Sequence, residues 1–328
     1  MKDLPLPIDK PNLKQRPTCE LSTFLTPLPT VFFVCHTGIP KVDPANWRLS
    51  ITGMVESEVH LSLQDIAAMP QVEVMAFHEC CGNPWEPTQP VRRVSNVVWG
   101  GVRLYDVLKQ AGIKTDALFL WSHGADTGDY YDIKNPGYVK DLPIAEIYRN
   151  EVILATHMNG ETLPERHGGP LRLIVPGYYG TNSTKWLVQL EVRDTRSPGY
   201  FTTVMYNDRI MKDGIETIKP LWRIAPNSII VSPAAEDRPP CATQVISGWT
   251  WGADTIVQLE VSTDDGASWQ KAILDEREDR SWQRFEFEWT PPCPGRYQLR
   301  CRATDCTGLS QPDAGVRNAT FLTEVTVD

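Results

Sequence analysis

At 328 residues the chain exceeds one ordinary domain and fits about two, each able to bury a core of its own. Hydrophobic residues at 41% and charged residues at 22% are ordinary globular proportions, which excludes disordered and fibrous classes. The net charge of -9 argues against a nucleic-acid surface, so an anionic ligand has to be met by a local basic cluster.

The first 30 residues are Pro-rich and are predicted to form an extended arm. They contain no apolar export segment, and no run approaches the roughly 18 apolar residues of a membrane helix, so a cytoplasmic protein with no membrane contact is expected. Arg92-Arg93 lies too far inside the chain for a twin-arginine signal. The eight cysteines (Cys19, Cys35, Cys80, Cys81, Cys241, Cys293, Cys301 and Cys306) form neither the CxxC pairs of a zinc ribbon nor a CxxCH haem attachment, and a reducing cytosol would keep them free.

Twenty-seven prolines and 22 glycines cut the chain into short elements, which points to a strand-rich fold. Trp47 to Ile51 alternates at period two and ends at Gly53 as a strand. Ser62 can cap a short helix over Leu63 to Ile66, with Asp65 at its positive end and Pro70 as its stop. Val72 to Phe77 is a further apolar run, and Val102 to Ala111 reads as a helix closed by Gly112. Ala117 to Trp121, Val152 to Ala155, Leu171 to Val175 and Leu187 to Val192 read as strands, with a short helix starting near Pro143. Periodicity lapses between Tyr206 and Pro226, where a domain boundary is expected. Beyond it come repeated strands without a helix. Val257, Leu259 and Val261 alternate with polar residues, Asp264-Asp265-Gly266 supplies a hairpin turn and Trp269 opens the return strand, while Phe285-Phe287-Trp289 and Tyr297-Leu299-Cys301-Ala303 repeat the pattern. About seven such strands predict an immunoglobulin-like β-sandwich. The predicted organisation is an α+β protein: an arm over 1–30, a mixed domain over 31–210 and the sandwich over 211–328.

Two segments carry chemistry. Phe77-His78-Glu79-Cys80-Cys81-Gly82-Asn83 sets a cysteine at the end of an apolar strand, before a turn whose glycine lets backbone approach a large ligand. A thiolate there suits a soft or high-valent metal. The same pair also fits two small buried residues, since free cysteine is among the most buried types, and a vicinal disulfide is a third reading. The second segment, His167-Gly168-Gly169-Pro170-Leu171-Arg172 followed by Val175-Pro176-Gly177 and Lys185-Trp186, gathers basic side chains near glycine-rich turns. Forked Arg donors, a Lys point charge and open N–H groups can hold a phosphate, although surface basic residues beside a hairpin give the same string. No Walker-type or GxGxxG motif is present, so nucleotide sites of those kinds lack support.

The order of segments is recognisable. Thr26-Pro27, Phe32-Phe33-Val34, Cys80-x-Gly-Asn83, Trp99-Gly-Gly-Val102, Gly124-Ala-Asp126, Met158-Asn-Gly-Glu161, His167-Gly-x-Pro-x-Arg172, Val175-Pro-Gly177 and Lys185-Trp-Leu187 resemble the sulfite oxidase family. Gly248-Trp249, Val261-Ser-x-Asp264-x-Gly266-x-Ser-Trp269 and Arg302-Ala-x-Asp305-x-x-Gly308 resemble its dimerisation domain. The resemblance, from about residue 26 to 312, implies a molybdenum-pyranopterin cofactor (molybdopterin) with Cys80 as the protein ligand to the metal. It further implies Asn83, Asp126, His167, Arg172 and Lys185 as contacts of the pterin and its phosphate. Oxygen-atom transfer on a small sulfur-containing oxyanion, electron exchange with a separate partner and a homodimer are implied with it. No cytochrome b5-type His-Pro-Gly-Gly segment occurs, so no haem is expected in this chain.

The departures concern the substrate. Where sulfite oxidases have an Arg-Asn-His run, this chain has Cys35-His36-Thr37; Thr156-His157 stands where a tyrosine is usual, and Pro84-Trp85 replaces arginines. The strings around His78-Glu79-Cys80 and Trp99 are similar to the branch containing sulfane dehydrogenases. His36, and less readily His157, is expected to supply catalytic charge when protonated at mildly acid pH. Two rival classes are a non-catalytic immunoglobulin-like scaffold and a zinc hydrolase using Cys80, Cys81 and histidines, the latter lacking metal-ligand spacings.

Overall fold

In the computed structural model, which describes residues 13–14, 16–83, 91–212, 214–315 and 317–328, the chain folds as two compact units. One is built on Phe33–Val74 and Val98–Trp222. The other is built on Met75–Val97 and Arg223–Asp328 with the segment ending at Phe32.

In the first unit a five-stranded sheet runs in the order Val139–Pro143, Phe119–Gly124, Leu187–Arg193, Leu49–Gly53, Val59–Leu61. Leu187–Arg193 lies parallel to Leu49–Gly53 and antiparallel to Phe119–Gly124, placing Leu190 opposite Ile51 and Ser122. Leu49 with Ile51 and Leu190 with Val192 alternate at period two, and a register shift between Leu187 and Gln189 brings Leu187 into the same apolar core with Ile66, Leu104, Val107, Leu154 and Leu173. In a second sheet Ile153–Met158 pairs antiparallel with both Val94–Arg103 and Arg172–Ile174.

The helix Leu63–Ala68 forms as its sequence predicts: Asp65 N–H donates to Ser62 Oγ at 3.1 Å, and Ser62 N–H donates to Asp65 Oδ2 at 2.8 Å. The helix expected over Val102 to Ala111 is shorter, Leu104–Leu108, because Val102 and Arg103 pair with Leu154 and Ile153 as strand. The segment after Tyr206 is not irregular. It forms a two-stranded hairpin, Asn207–Lys212 with Ile215–Pro220, whose strand pattern is hidden because Ile210, Met211, Ile215 and Ile218 are all exposed.

The second unit carries two four-stranded sheets. One holds Asn227–Ser232, Gln244–Trp251, Gln283–Trp289 and Ile273–Leu274; the other holds Gln270–Lys271, Ile256–Ser262, Gly295–Asp305 and Phe321–Val327. Ile230, Ile246, Leu259, Val261, Phe285, Leu299, Cys301 and Val325 form its core, giving the expected immunoglobulin-like sandwich. Of the predicted arm, Leu13–Lys14 pairs with Phe33–Val34 and Arg16–Pro17 with Val91–Arg92, while residues 1–12 lie outside the described ones. Among the described residues no helix is long and apolar enough to cross a membrane.

Candidate active site

Five of the seven predicted site residues belong to the first unit. Asp126 follows the strand Phe119–Gly124, and Lys185 precedes Leu187–Arg193, so the pairing of these two strands sets both near one sheet end. A Cβ on Gly124 would stand 2.4 Å from Asp126 Oδ1 and 2.9 Å from the Lys185 carbonyl, so this packing requires glycine. His167 ends a short 3-10 turn, and Gly168 follows at φ 109° with no room for a Cβ, which would lie 2.8 Å from Lys185 Cβ.

The Lys185 ammonium donates to the Val34 carbonyl at 2.8 Å and to Cys35 Sγ at 3.2 Å. Arg172 is buried and donates to the His167 carbonyl at 2.9 Å and the Ser183 carbonyl at 3.3 Å, its guanidinium 5.2 Å from the Trp99 ring centre. Asp126 is buried and accepts from Thr37 Oγ1 at 3.0 Å. Burial lowers Arg172 to about 10. Burial also lowers Lys185, with Arg172 adding to the effect and Cys35 and Asp126 opposing it. Burial raises Asp126 against the pull of Lys185. Lys185 therefore interacts with a second cation, Arg172, on one hand and with the Asp126 carboxylate on the other, and the two cations are suited to an anionic ligand.

His36 lies within 5.1–6.1 Å of the rings of Tyr130, Tyr138, Phe201 and Tyr206, with the Tyr206 hydroxyl bonded to its Nε2. Burial and the nearby Lys185 lower its pKa to about 3. Both effects disfavour the charged ring, against the expectation of a protonated His36 at mildly acid pH. His157 is exposed in the strand Ile153–Met158, its Nδ1 2.9 Å from Thr156 Oγ1.

Cys80 and Asn83 belong to the second unit, in the turn after the strand Gln71–Glu79. Cys80 is part-buried and Cys81 buried, and no disulfide joins the two. Cys80 N–H donates to the Arg93 carbonyl at 2.9 Å. Glu79, fully buried, accepts from Asn83 Nδ2 at 2.9 Å and Asn227 Nδ2 at 3.0 Å on one oxygen, and from Trp251 Nε1 at 2.8 Å on the other. Burial pushes the Glu79 carboxyl up to about 7 despite these three donors. Pro84-Trp85 lies outside the described residues. Sequence reasoning missed Glu79, Cys35, Thr37 and Tyr206 as parts of these sites; only Glu79 carried a signal, a charge at the buried end of an apolar strand.

Among the described residues no three His, Cys, Asp or Glu side chains are placed to hold a metal ion. That donor set does not fit a zinc site built from protein ligands alone. In the first unit, Arg172 and Lys185 with glycines packed without room for a Cβ fit an anionic cofactor; in the second, Cys80 offers a single thiol, as suits a metal whose other ligands arrive on a cofactor.

The likeness to known proteins names such a cofactor and a class of enzyme, the oxidoreductases. The oxidoreductase molybdopterin binding domain matches residues 36–201, just over half of the chain, and the Mo-co oxidoreductase dimerisation domain matches residues 219–324. The chain belongs to the molybdopterin-binding oxidoreductases of the sulfite oxidase family. It is 29% identical to mitochondrial sulfite oxidase of Homo sapiens over 92% of this chain and 60% of that protein. Sulfite oxidase of Arabidopsis thaliana is 28% identical over 89% of this chain and 84% of that protein. Among solved structures, the sulfane dehydrogenase SoxCD of Paracoccus pantotrophus superposes with a TM-score of 0.83 at 27% identity, over 96% of this chain and 83% of that one. The chain thus spans 60% of the length of its human and rat relatives.

Proposed function

We propose that the protein binds molybdenum-molybdopterin and transfers an oxygen atom to or from a small sulfur-containing oxyanion, exchanging electrons with a separate redox partner. The observation that carries this reading is the neighbouring pair of cations, buried Arg172 and part-buried Lys185, with the Asp126 carboxylate beside the lysine. Arg172, Lys185, Asp126 and His167 would hold the pterin and its phosphate, and Cys80 would ligate the metal. When bound, the cofactor supplies the two-electron oxygen-transfer chemistry. The chain's own residues bind and orient it. The buried Arg172 provides forked donors at a fixed charge, Lys185 a point charge, and Trp99 an apolar wall that keeps water from Arg172. His36 acts as a neutral ring that holds the Tyr206 hydroxyl, so the substrate meets neutral donors there rather than an arginine.

We assign cofactor binding to residues 31–210 and pairing of two copies to 211–328, on the strength of the dimerisation-domain match. The deciding experiment is metal and pterin analysis of the purified protein. About one molybdenum and one pterin per chain are expected, with sulfur oxyanions turned over in the presence of an artificial electron acceptor. Protein that is folded, expressed in a host that makes the cofactor and free of both overturns the assignment.

A further inference from the structure

We infer that Glu79 is a positioning residue for the Cys80 thiolate, acting through Asn83 and the Arg93 backbone. The inference rests on the reading of Cys80 as a metal ligand.

The bonds form a closed frame. Glu79 Oε1 accepts from the Asn83 and Asn227 side-chain amides, and Oε2 accepts from the Trp251 indole. The other end of the Asn83 amide, Oδ1, accepts from Arg93 N–H, while the Arg93 carbonyl accepts from Cys80 N–H at 2.9 Å. Residues 80–83 are therefore fixed at both ends, through one side chain and one backbone unit. Trp251 and Asn227 lie in strands of the sandwich sheet, so the frame stands on rigid elements rather than on the turn itself.

Two features separate this from ordinary packing. A buried carboxylate carries a large desolvation penalty that a neutral amide of the same shape avoids, and the hydrogen bonds described here come from neutral donors. An acceptor that takes three N–H bonds at once is what only a carboxylate provides. Asn83 is also fully buried with both ends of its amide engaged within the protein, which makes it part of the frame instead of a surface offered to a pterin. A thiolate that completes a metal's coordination has to be held within about 0.5 Å of its productive position.

The test compares holoprotein and cofactor-stripped protein of the wild type, Glu79→Gln and Trp251→Phe. Glu79→Gln keeps the volume and turns one acceptor into a donor that faces N–H groups. Trp251→Phe removes one donor and leaves the carboxylate. In the stripped proteins, alkylation of Cys80 is followed by peptide mapping with Cys81 as the internal reference. In the holoproteins, the thiolate-to-metal charge-transfer absorption is recorded with kcat and KM. Glu79→Gln is expected to retain molybdenum, shift the absorption band and lower kcat about tenfold with KM little changed. Its Cys80 should alkylate faster relative to Cys81, and Trp251→Phe should move both readouts the same way by less. A lower melting temperature with unchanged Cys80 alkylation and an unchanged band would reduce Glu79 to a packing residue and overturn the inference. Should Glu79→Gln fail to fold, Trp251→Phe decides on the same two readouts. Wild-type protein without molybdenum defeats the proposed function instead, a result distinguishable from failure of the frame.

Discussion

Lys185 Nζ and Cys35 Sγ lie 3.2 Å apart, which ties a thiol to the cation proposed for the cofactor phosphate. Lys185→Met removes that charge from a part-buried place. Pterin content per chain, read by fluorescence after release, should fall about tenfold or more. Cys35→Ser should leave it close to wild type. Full pterin content in Lys185→Met would remove the lysine from the anion site.

His36 gives a pH signature. Its folded pKa of about 3 lies below its unfolded value of about 6.5, so between these limits the unfolded chain binds the extra proton. Stability from this group is complete above about 6.5 and declines as pH falls. Melting temperatures from pH 7 to 4.5 should drop more steeply for the wild type than for His36→Asn. The acid limb of kcat/KM should not move in His36→Asn above pH 5; a shift there would restore the charged histidine.

Gly168→Ala meets two barriers, a φ of 109° and a Cβ 2.8 Å from Lys185 Cβ and Cγ. The lysine has to move, so cofactor content should decline together with the melting temperature. Gly214→Ala provides the comparison, with a positive φ and open space around the added carbon, and should affect stability alone. Equal cofactor content in the two variants would contradict the packing role of Gly168.

Leu190 is fully buried on the central strand of the five-stranded sheet, between Ile51 and Ser122. Leu190→Ala should cost about 2–5 kcal/mol in chemical denaturation, from lost transfer energy and the cavity left behind. A cost under about 1 kcal/mol would mean that the site collapses around the smaller side chain.

Cys80→Ser should lose turnover while the protein stays folded, because a hydroxyl donates far less charge than a thiolate. Cys81→Ser, at a buried position, should act mainly on stability. Equal loss of turnover in both, with metal retained in both, would sink Cys80 as the sole protein ligand.

Legibility followed the range of the interactions. The strand Leu49–Gly53 and the helix after Ser62 were readable because alternation and a capping box are local patterns. Val102 was misread because an apolar run fits helix and strand alike until Leu154 pairs with it. The exposed hairpin after Tyr206 has no buried face to print a period. Around Cys80, the cysteine was readable but its surroundings were not, since Asn227 and Trp251 stand 148 and 172 residues from Glu79. His36 showed its residue type in the sequence, whereas its neutrality comes from four rings contributed by distant segments.

The same long separations bear on biosynthesis. A ribosome that has emitted the Cys80 turn has not yet made Asn227 or Trp251, so Glu79 waits for its two distant donors until the sandwich strands emerge. The turn reaches its final form only once most of the polypeptide has been made. A nascent chain arrested near residue 222 therefore presents a cysteine without the scaffold that fixes it.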